Sequence, residues 1–187
     1  MKLKLIKLKK VTSTNDMSIK LIKKNITKPT LITSLVQTNG RGTMGKKWIS
    51  KKGNLFLSIF FEIDIKKINL KQFTILNVRI LKRVINKYSK IKLKIKWPND
   101  LLIKKKKVCG ILQELIYNKG KSFLIVGIGI NTNSFPYIEN YKTTSLKNLQ
   151  KIYIDNNIVL RDIKKQYENF IIEKKKKSFT KLKKLFF

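Results

Sequence analysis

The stretch VCGILQELIYNKGKSFLIVGIGI, residues 108–130, decides the fold of this chain. Two apolar runs, 108–117 and 123–130, stand on either side of the short segment 118–121, which contains a glycine. Apolar, β-branched runs with such a connection predict an antiparallel β-hairpin. Glycines also interrupt the runs, and a glycine inside a strand often marks where a ligand or another backbone comes close. These interior glycines are Gly110, Gly127 and Gly129.

Other strand and helix signals lie on both sides of the hairpin. Lysine alternates with leucine or isoleucine over 2–9, which predicts a strand, and the polar cluster 12–15 that follows can cap a helix. Apolar residues at three- and four-residue spacing predict an amphipathic helix over 73–88, and a closing helix is expected over 158–172. Further strands are expected at 31–37, 54–63 (a buried one), 93–97 and 101–103, with turns at 38–45 and 104–107.

These elements favour one α+β domain. The length of 187 residues suits a single domain, and no internal repeat, glycine-serine linker or change of composition divides the chain. We expect a mixed or antiparallel sheet with the helices gathered on one side. The domain is expected to span residues 1–172. The lysine-dense end, 173–187, is expected to be a helix or a tail that is frayed or loosely docked.

The chain is strongly basic, with 44 lysines and arginines against 10 acidic residues and a net charge of +34. Only four of the basic residues are arginine, the side chain that phosphate-binding proteins enrich for its bidentate fork. The lysines are also spread along the chain, whereas dedicated nucleic-acid binders carry a localised basic stripe. Composition therefore favours a lysine-rich coding bias over an RNA-binding platform, which stays open as an alternative.

Composition also excludes several catalytic chemistries. Histidine is absent, which excludes Ser-His-Asp and Cys-His catalysis, imidazole metal ligands and a histidine base. The single cysteine, Cys109, lies in an apolar run and is expected to be a small buried hydrophobe rather than a nucleophile. No apolar run is long enough for a signal peptide or a bilayer span, so a soluble, intracellular protein is expected.

A glycine-rich loop, QTNGRGTMGKKW, occupies residues 37–48. Three glycines fall within six residues, so the backbone can wrap a phosphate with its N–H groups while Arg41, Lys46 and Lys47 supply positive charge. The loop lacks the strand-to-helix context of a P-loop or a Rossmann turn. Taken alone, it is explained equally well as an ordinary surface turn.

A second unusual motif is KWPNDL, residues 96–101. Pro98 cannot donate a backbone hydrogen bond, so it should interrupt the strand and turn Asn99 and Asp100 outward. An adjacent amide and carboxylate can hold a magnesium ion or a ribose and its phosphate, and an Asx-type turn between two short strands is the plain alternative. Trp97 is expected to lie in the core.

These motifs combine with three others: Ser13-Thr14-Asn15, Lys107-x-x-Gly110-Ile111 and Gly127-Ile128-Gly129-Ile130-Asn131. In order and approximate spacing, the set is similar to that of the biotin protein ligases over about residues 12–133. Its most specific part is Lys-Trp-Pro-Asn-Asp, whose Asp100 stands seven residues before Lys107. The resemblance implies the class II synthetase-like catalytic domain of biotin and lipoate ligases, which agrees with the α+β class.

Members of that family join biotin to ATP, forming biotinyl-5′-AMP and pyrophosphate, and pass the biotinyl group to one lysine of a biotin carboxyl carrier domain. For this chain the resemblance implies a cytoplasmic ligase with ATP and biotin as substrates and Mg²⁺ as cofactor. The implied partner is the carrier domain of a biotin-dependent carboxylase. No membrane partner is implied, and a homodimer that pairs through the sheets is compatible with the resemblance.

The matching positions also imply site residues. Those that match the family's biotin contacts are Ser13, Thr14, Asn15, Gln37, Gly40, Arg41, Gly42, Thr43, Lys107, Gly110 and Gly127. Those that match its ATP contacts are Arg41, Thr43, Lys46, Trp48, Asn99, Asp100, Lys107 and Asn131, with Asp100 nearest the metal. Arg41 and Lys107 are the implied catalytic residues. A carboxylate that approaches an α-phosphate brings two negative charges together and needs cations to offset them.

The sequence departs from the family pattern in places. Thr43 stands where several members carry a second arginine, so retention of the adenylate is expected to rest more on Lys46 and Lys47. Only about 12 residues precede Ser13, so no N-terminal DNA-binding domain and no specific DNA are expected, and a C-terminal β-barrel domain is expected to be reduced. A lipoate ligase, which uses a related adenylation, is the nearer alternative. A basic RNA-binding protein that has lost catalysis is the more distant one.

Overall fold

The computed structural model describes residues 2–139 and 141–186, which form a seven-stranded sheet and five helices. The strands are β1 (Lys4–Val11), β2 (Thr30–Gln37), β3 (Leu55–Ile63), β4 (Lys94–Lys96), β5 (Asp100–Ile103), β6 (Lys106–Asn118) and β7 (Lys121–Ile130). The helices are α1 (Thr14–Lys23), α2 (Leu70–Asn86), α3 (Leu146–Gln150), α4 (Asn156–Lys176) and α5 (Phe179–Phe186). No helix in this described part of the chain combines the length and the apolar character that a bilayer span requires.

The sheet is mixed, with the strand order β1-β2-β3-β7-β6-β5-β4. Strands β1 and β2 are parallel because α1 carries the chain back between them, and the other neighbouring pairs are antiparallel. The predicted hairpin is β6–β7. Its turn residues Lys119 and Gly120 both have positive φ angles, 46° and 73°, as a tight two-residue turn requires. The α+β class and the mixed sheet are thus confirmed.

The helices lie on both faces of this sheet. Strand β3 is buried along its length except at Glu62, which confirms the expected buried strand. Its Leu57 and Ile59 face the main core with α2, α4 and α5, whereas Phe60 packs with Ile22 of α1 in a second, smaller cluster. The expectation of helices on one side is therefore wrong for α1. Side chains of a strand alternate between faces, and both faces of β3 are apolar enough to need a cover.

The lysine-dense C-terminus is helical and docked. Helix α4 continues to Lys176, and α5 follows with Leu182 and Phe186 only 0% and 4% exposed. The ring of Phe186 meets that of Phe170 edge-on, with 5.6 Å between centroids. The expectation of a loosely docked tail from residue 173 is wrong over the described part, and that boundary falls inside α4. Apolar residues at three- and four-residue spacing give α5 one apolar face, which packs on the core.

We predict that Leu182→Ala lowers the free energy of unfolding by about 2–5 kcal/mol, because the leucine is fully buried and its removal leaves a cavity. The measurement is urea unfolding of the full chain, followed by circular dichroism. Leu185→Ala changes the same helix at a position that is 44% exposed, so this matched control should cost less than about 1 kcal/mol. Small and equal losses in both variants would show that α5 is not docked in solution.

Candidate active site

A cavity of about 690 Å³ opens on the face of the sheet that carries α1. Its floor lies where β3, β7 and β6 run side by side, with Ser58 paired opposite Gly127 and Gly110 opposite Gly129. The first turn of α1 and the loop residues 41–49 form its walls. The residues that the family resemblance implies all line this cavity except Gly40, so the structure brings the implied biotin and ATP positions together.

Two glycines of β7 let other side chains reach the sheet floor. A Cβ atom at Gly127 would stand 2.3 Å from Oδ1 of Asn15, and one at Gly129 would stand 2.3 Å from Cε2 of Trp48. Any larger residue would therefore push α1 or the Trp48 ring off the sheet. The interior glycines mark a close approach, as the sequence indicated, and the groups that approach are side chains of the site itself.

A hydrogen-bond network fixes the first turn of α1 against the sheet. Ser13 is the N-cap, the member of the predicted polar cluster that begins the helix. The backbone amide and the hydroxyl of Thr14 donate to Oε1 of Gln37 over 2.8 and 3.0 Å. Oγ of Ser58 lies 2.7 Å from Oγ1 of Thr14 and 2.5 Å from Oδ1 of Asn15. Motif reasoning missed Ser58, whose signal is a serine inside an otherwise apolar strand.

The glycine-rich loop folds back on itself as a small hairpin. The backbone N–H of Trp48 donates to the carbonyl of Gly40 over 2.8 Å, and that of Gly42 donates to Lys46 over 2.6 Å. A Cβ atom at Gly40 would lie 2.6 Å from the Trp48 carbonyl oxygen, so this glycine shapes the loop without lining the cavity. Lys46 and Lys47 are exposed at the rim, where they add positive charge.

Arg41 is neutralised by two carboxylates. Its guanidinium donates to both oxygens of Glu114 over 2.8 Å, and Nη2 also lies 2.8 Å from Oδ1 of Asp16. Burial works against the charge, but the two carboxylates outweigh it and raise the pKa of Arg41 above its ordinary value. Glu114 also accepts a hydrogen bond from Nδ2 of Asn15 over 2.6 Å. One carboxylate thus ties the glycine loop to α1.

Motif reasoning missed both carboxylates, although Glu114 has a sequence signal. Alternate residues of a strand share a face. Glu114 is four positions after Gly110, so it points to the same side of β6. The pairing with the carboxylates leaves part of the guanidinium unused. Nε of Arg41 is buried and finds no hydrogen-bond partner in the part of the chain that the structure describes, which leaves a donor for an incoming anion.

The KWPNDL motif joins β4 to β5. Strand β4 ends at Lys96 and β5 begins at Asp100, so Pro98 interrupts the strand as predicted. Asn99 and Asp100 both line the cavity. Trp97 is 49% exposed, so the expectation that it lies in the core is wrong. The tryptophan stands in the connecting turn, outside the buried faces of both strands.

Lys107 lies in β6 and not in the expected turn 104–107, because the turn needs only residues 104 and 105, both with positive φ. Its Nζ stands 2.7 Å from Oδ1 of Asp100. The other carboxylate oxygen, Oδ2, accepts a hydrogen bond from the hydroxyl of Tyr141 over 2.8 Å. Both implied catalytic cations are therefore held by carboxylates. Tyr141, which belongs to no motif, had no local signal in the sequence.

Asp100 leaves little room for a metal ion, because each of its oxygens already has a partner. Among the described residues, no group of three or more metal-ligating side chains comes together. Magnesium is typically held by one or two carboxylates together with substrate phosphates. Asp100 can meet such an ion only after its pair with Lys107 opens, so its assignment to the metal stays a prediction.

The cavity also contains polar atoms without a partner. Nε1 of Trp48 and Oδ1 of Asn131 are both buried. Within residues 2–139 and 141–186, the indole N–H donates no hydrogen bond and the amide oxygen accepts none. Buried polar groups are normally hydrogen-bonded, so these two atoms fit a polar ligand such as a nucleotide. Asn99 is already bonded. Its Nδ2 donates to the Ile111 carbonyl over 3.1 Å and lies 3.5 Å from Oγ1 of Thr43.

Cys109 is the buried hydrophobe that the sequence indicated. Its side chain is fully buried in the main core. Burial raises the pKa of the thiol above its ordinary value, and the charge of nearby Lys107 opposes this only in part. The thiol is therefore protonated at neutral pH, and it does not line the cavity.

Comparison with known proteins agrees with this geometry. The model of the biotin/lipoate A/B protein ligase family matches residues 6–131. The bifunctional ligase/repressor BirA of Bacillus spizizenii is 33% identical over 171 residues, which cover 86% of this chain and 53% of that protein. The structure of the biotin protein ligase from Aquifex aeolicus in complex with biotin and ATP matches with a TM-score of 0.80 and 33% identity. The match covers 98% of this chain and 76% of that chain.

The chain belongs to the biotin/lipoate A/B protein ligase family, whose model matches well over half of it. It spans about half the length, or less, of the curated relatives it matches: 53% of the Bacillus spizizenii protein and 39% of BirA from Bacillus subtilis, to which it is 36% identical over 128 residues. The resemblance inferred from the motifs is confirmed at the level of the family and its fold.

We predict that Cys109 does not react with a thiol reagent such as dithionitrobenzoate in the native protein at about pH 8, because the buried thiol is protonated and inaccessible. The measurement is the absorbance of the released thiolate over time. The same protein in guanidinium chloride is the control, and it should release one equivalent. Rapid release from the native protein would show that Cys109 is an exposed thiolate.

Proposed function

We propose that this chain is the catalytic part of a biotin protein ligase. It joins biotin to ATP as biotinyl-5′-AMP, with release of pyrophosphate, and transfers the biotinyl group to a lysine of a biotin carboxyl carrier domain. The observation that carries the proposal is a single cavity that places the polar corner of Thr14 and Asn15 beside the cations Arg41 and Lys107. The named activities of the Bacillus relatives and the ligands of the Aquifex aeolicus structure support it.

The α1 corner suits the head group of biotin. A ureido ring is neutral and polar, and the hydroxyl of Thr14 and the amide of Asn15, which line the cavity and are held by Ser58, match its donors and acceptors. The fused rings and the aliphatic chain of biotin are apolar, and Leu112 and Ile128 line the cavity beside the corner. A few fixed polar groups in a largely apolar pocket are typical of small-molecule recognition.

The cationic end suits the adenylation. A carboxylate oxygen of biotin attacks the α-phosphorus of ATP, and the bond from phosphorus to the pyrophosphate oxygen breaks. Negative charge on the phosphates must be offset while this happens, and Nζ of Lys107 can do so as the nucleotide competes with Asp100 for it. Mg²⁺, which enters with the phosphates of ATP, supplies further neutralisation. Nε of Arg41 can donate a hydrogen bond to a phosphate while both carboxylates stay bound to the rest of the guanidinium.

The transfer step needs protection of the intermediate. The acyl carbon of biotinyl-5′-AMP is attacked by the amine of the carrier lysine, and AMP leaves. Because this mixed anhydride is hydrolysable, the loop that walls the cavity between Arg41 and Ile49 serves to exclude water until the lysine arrives. The exposed Lys46 and Lys47 at the rim add charge where a second arginine is missing at Thr43.

A lipoate ligase would share this fold, since the family includes both activities in its description. Biotin is the favoured substrate because the glycine loop and the Lys-Trp-Pro-Asn-Asp block match the biotin enzymes better. The substrate therefore has to be tested directly. Among the described residues no feature of the cavity favours the RNA-binding alternative.

We predict that the purified chain exchanges labelled pyrophosphate into ATP when biotin is present, and at least about tenfold more slowly with lipoate, because the α1 corner matches a ureido ring. The measurement is the label recovered in ATP. Addition of a carrier domain should then yield one added biotinyl mass on a single lysine, read by mass spectrometry. Exchange driven equally by lipoate would overturn the substrate assignment, and no exchange with either acid would overturn the proposed function.

We predict that Lys107→Ala slows the biotin-dependent exchange by about tenfold or more, because it removes the ammonium group that offsets phosphate charge. The matched control is Lys105→Ala, which removes an exposed lysine in the turn two residues earlier. The control should retain the parent rate, and both variants should show the parent circular dichroism spectrum. A Lys107→Ala variant as active as Lys105→Ala would remove Lys107 from the catalytic machinery.

A further inference from the structure

The described residues between β7 and α3, 131–139 and 141–145, pack on the part of the cavity that holds Lys107. The backbone N–H of Lys107 donates to the carbonyl of Lys142 over 2.9 Å, and its own carbonyl accepts from the N–H of Thr144 over 3.0 Å. Lys107 thereby pairs with Thr143 in a short parallel bridge. The backbone of the catalytic lysine is therefore held by this segment as well as by the sheet.

The side chain of Tyr141 reaches the same lysine through Asp100. Its hydroxyl donates to Oδ2 of Asp100 over 2.8 Å, while Oδ1 faces Nζ of Lys107 at 2.7 Å. Asp100 is 8% exposed, so water cannot readily replace a lost partner. With both oxygens engaged, the carboxylate is confined to one orientation, and that orientation determines where Nζ of Lys107 lies.

Two lysine ammonium groups lie over the ring of Tyr141. Nζ of Lys96 lies 4.7 Å from the ring centroid, and Nζ of Lys107 lies 5.4 Å from it. An ammonium group within about 6 Å of an aromatic face is attracted by it. The ring thus favours the approach of two lysines that would otherwise repel each other. This contact does not need the hydroxyl, so the two functions of Tyr141 can be separated by mutation.

We propose that Tyr141 is a positioning residue for the adenylation step, whose hydroxyl acts through Asp100 to hold Nζ of Lys107 where the nucleotide phosphate meets it. The inference rests on the proposed function. Tyr141 lies outside the α1 corner and contacts none of its members among the described hydrogen bonds. Loss of the hydroxyl should therefore lower turnover and leave the recognition of biotin unchanged.

The first test is Tyr141→Phe, which removes the hydroxyl and keeps the ring near Lys96 and Lys107. In the biotin-dependent pyrophosphate exchange of the full chain, we expect kcat to fall by about tenfold and KM for biotin to stay within about twofold. The matched control is Tyr137→Phe, in the same segment at a residue that is 86% exposed, and it should retain the parent values. Equal activity of the two variants would overturn the proposal, as would a change confined to KM for biotin.

A double-mutant cycle with Asp100→Asn tests the route through the carboxylate. If Tyr141 acts through Asp100, then Tyr141→Phe added to Asp100→Asn changes the exchange rate by less than about twofold. A further fall of about tenfold in the double variant would show that Tyr141 acts independently of Asp100, which would overturn the proposed route.

If the parent chain shows no exchange with biotin, the proposed function fails, and the inference that rests on it fails with it. If the parent chain exchanges and Tyr141→Phe keeps the kcat of Tyr137→Phe, only the positioning of Lys107 by Tyr141 fails, so the two failures are distinguishable.

Discussion

A strip of sheet without side chains determines where the rest of the site lies. Because Gly127 and Gly129 carry no Cβ, Asn15 of α1 and the ring of Trp48 rest directly on the backbone of β7. Either Cβ would come within 2.3 Å of those groups, far inside van der Waals contact. The cavity exists because the helix and the loop both reach this strip from different sides. The polar contacts that Asn15 makes with Ser58 and Glu114 depend on that close approach.

Acidic residues are concentrated at the site, although the chain as a whole is strongly basic. Only 10 residues are acidic, yet three of them, Asp16, Asp100 and Glu114, contact the two cations of the cavity. Glu114 and Asp100 carry further hydrogen bonds, so they orient the guanidinium and the ammonium group as well as neutralise them. The cations are thus positioned without being presented as bare charges. An anionic ligand would therefore compete with Asp100 for Nζ of Lys107, whereas Nε of Arg41, which has no hydrogen-bond partner among the described residues, could donate to it directly.

Local patterns predicted the hairpin, the glycine loop and the connection at Pro98, because each carries its signal within a few neighbouring residues. For the same reason most of the residues that line the cavity could be named from motifs. The residues that were missed depend on contacts between distant segments. Glu114 meets Arg41 across 73 positions, and Tyr141 meets Asp100 across 41. The side of the sheet that α1 covers depends on both faces of β3, and the docking of α5 depends on α2 and α4, so neither could be predicted from a short window of sequence.

The two ends of the cavity are built differently, and this bears on how the ligands enter. The α1 corner rests on the sheet, and Thr14, Asn15 and Ser58 already bond to one another. At the other end the cations are held by carboxylates. There, within the described residues, the buried polar atoms of Trp48 and Asn131 have no partner. In the proposed reaction a neutral polar head group enters a corner whose geometry is fixed, whereas a phosphate competes with Asp100 for Lys107 and can satisfy the unpaired atoms. Because the rearrangement is confined to the nucleotide end, the proposed reaction frees the ammonium group of Lys107 only when a phosphate is present to take the place of the carboxylate.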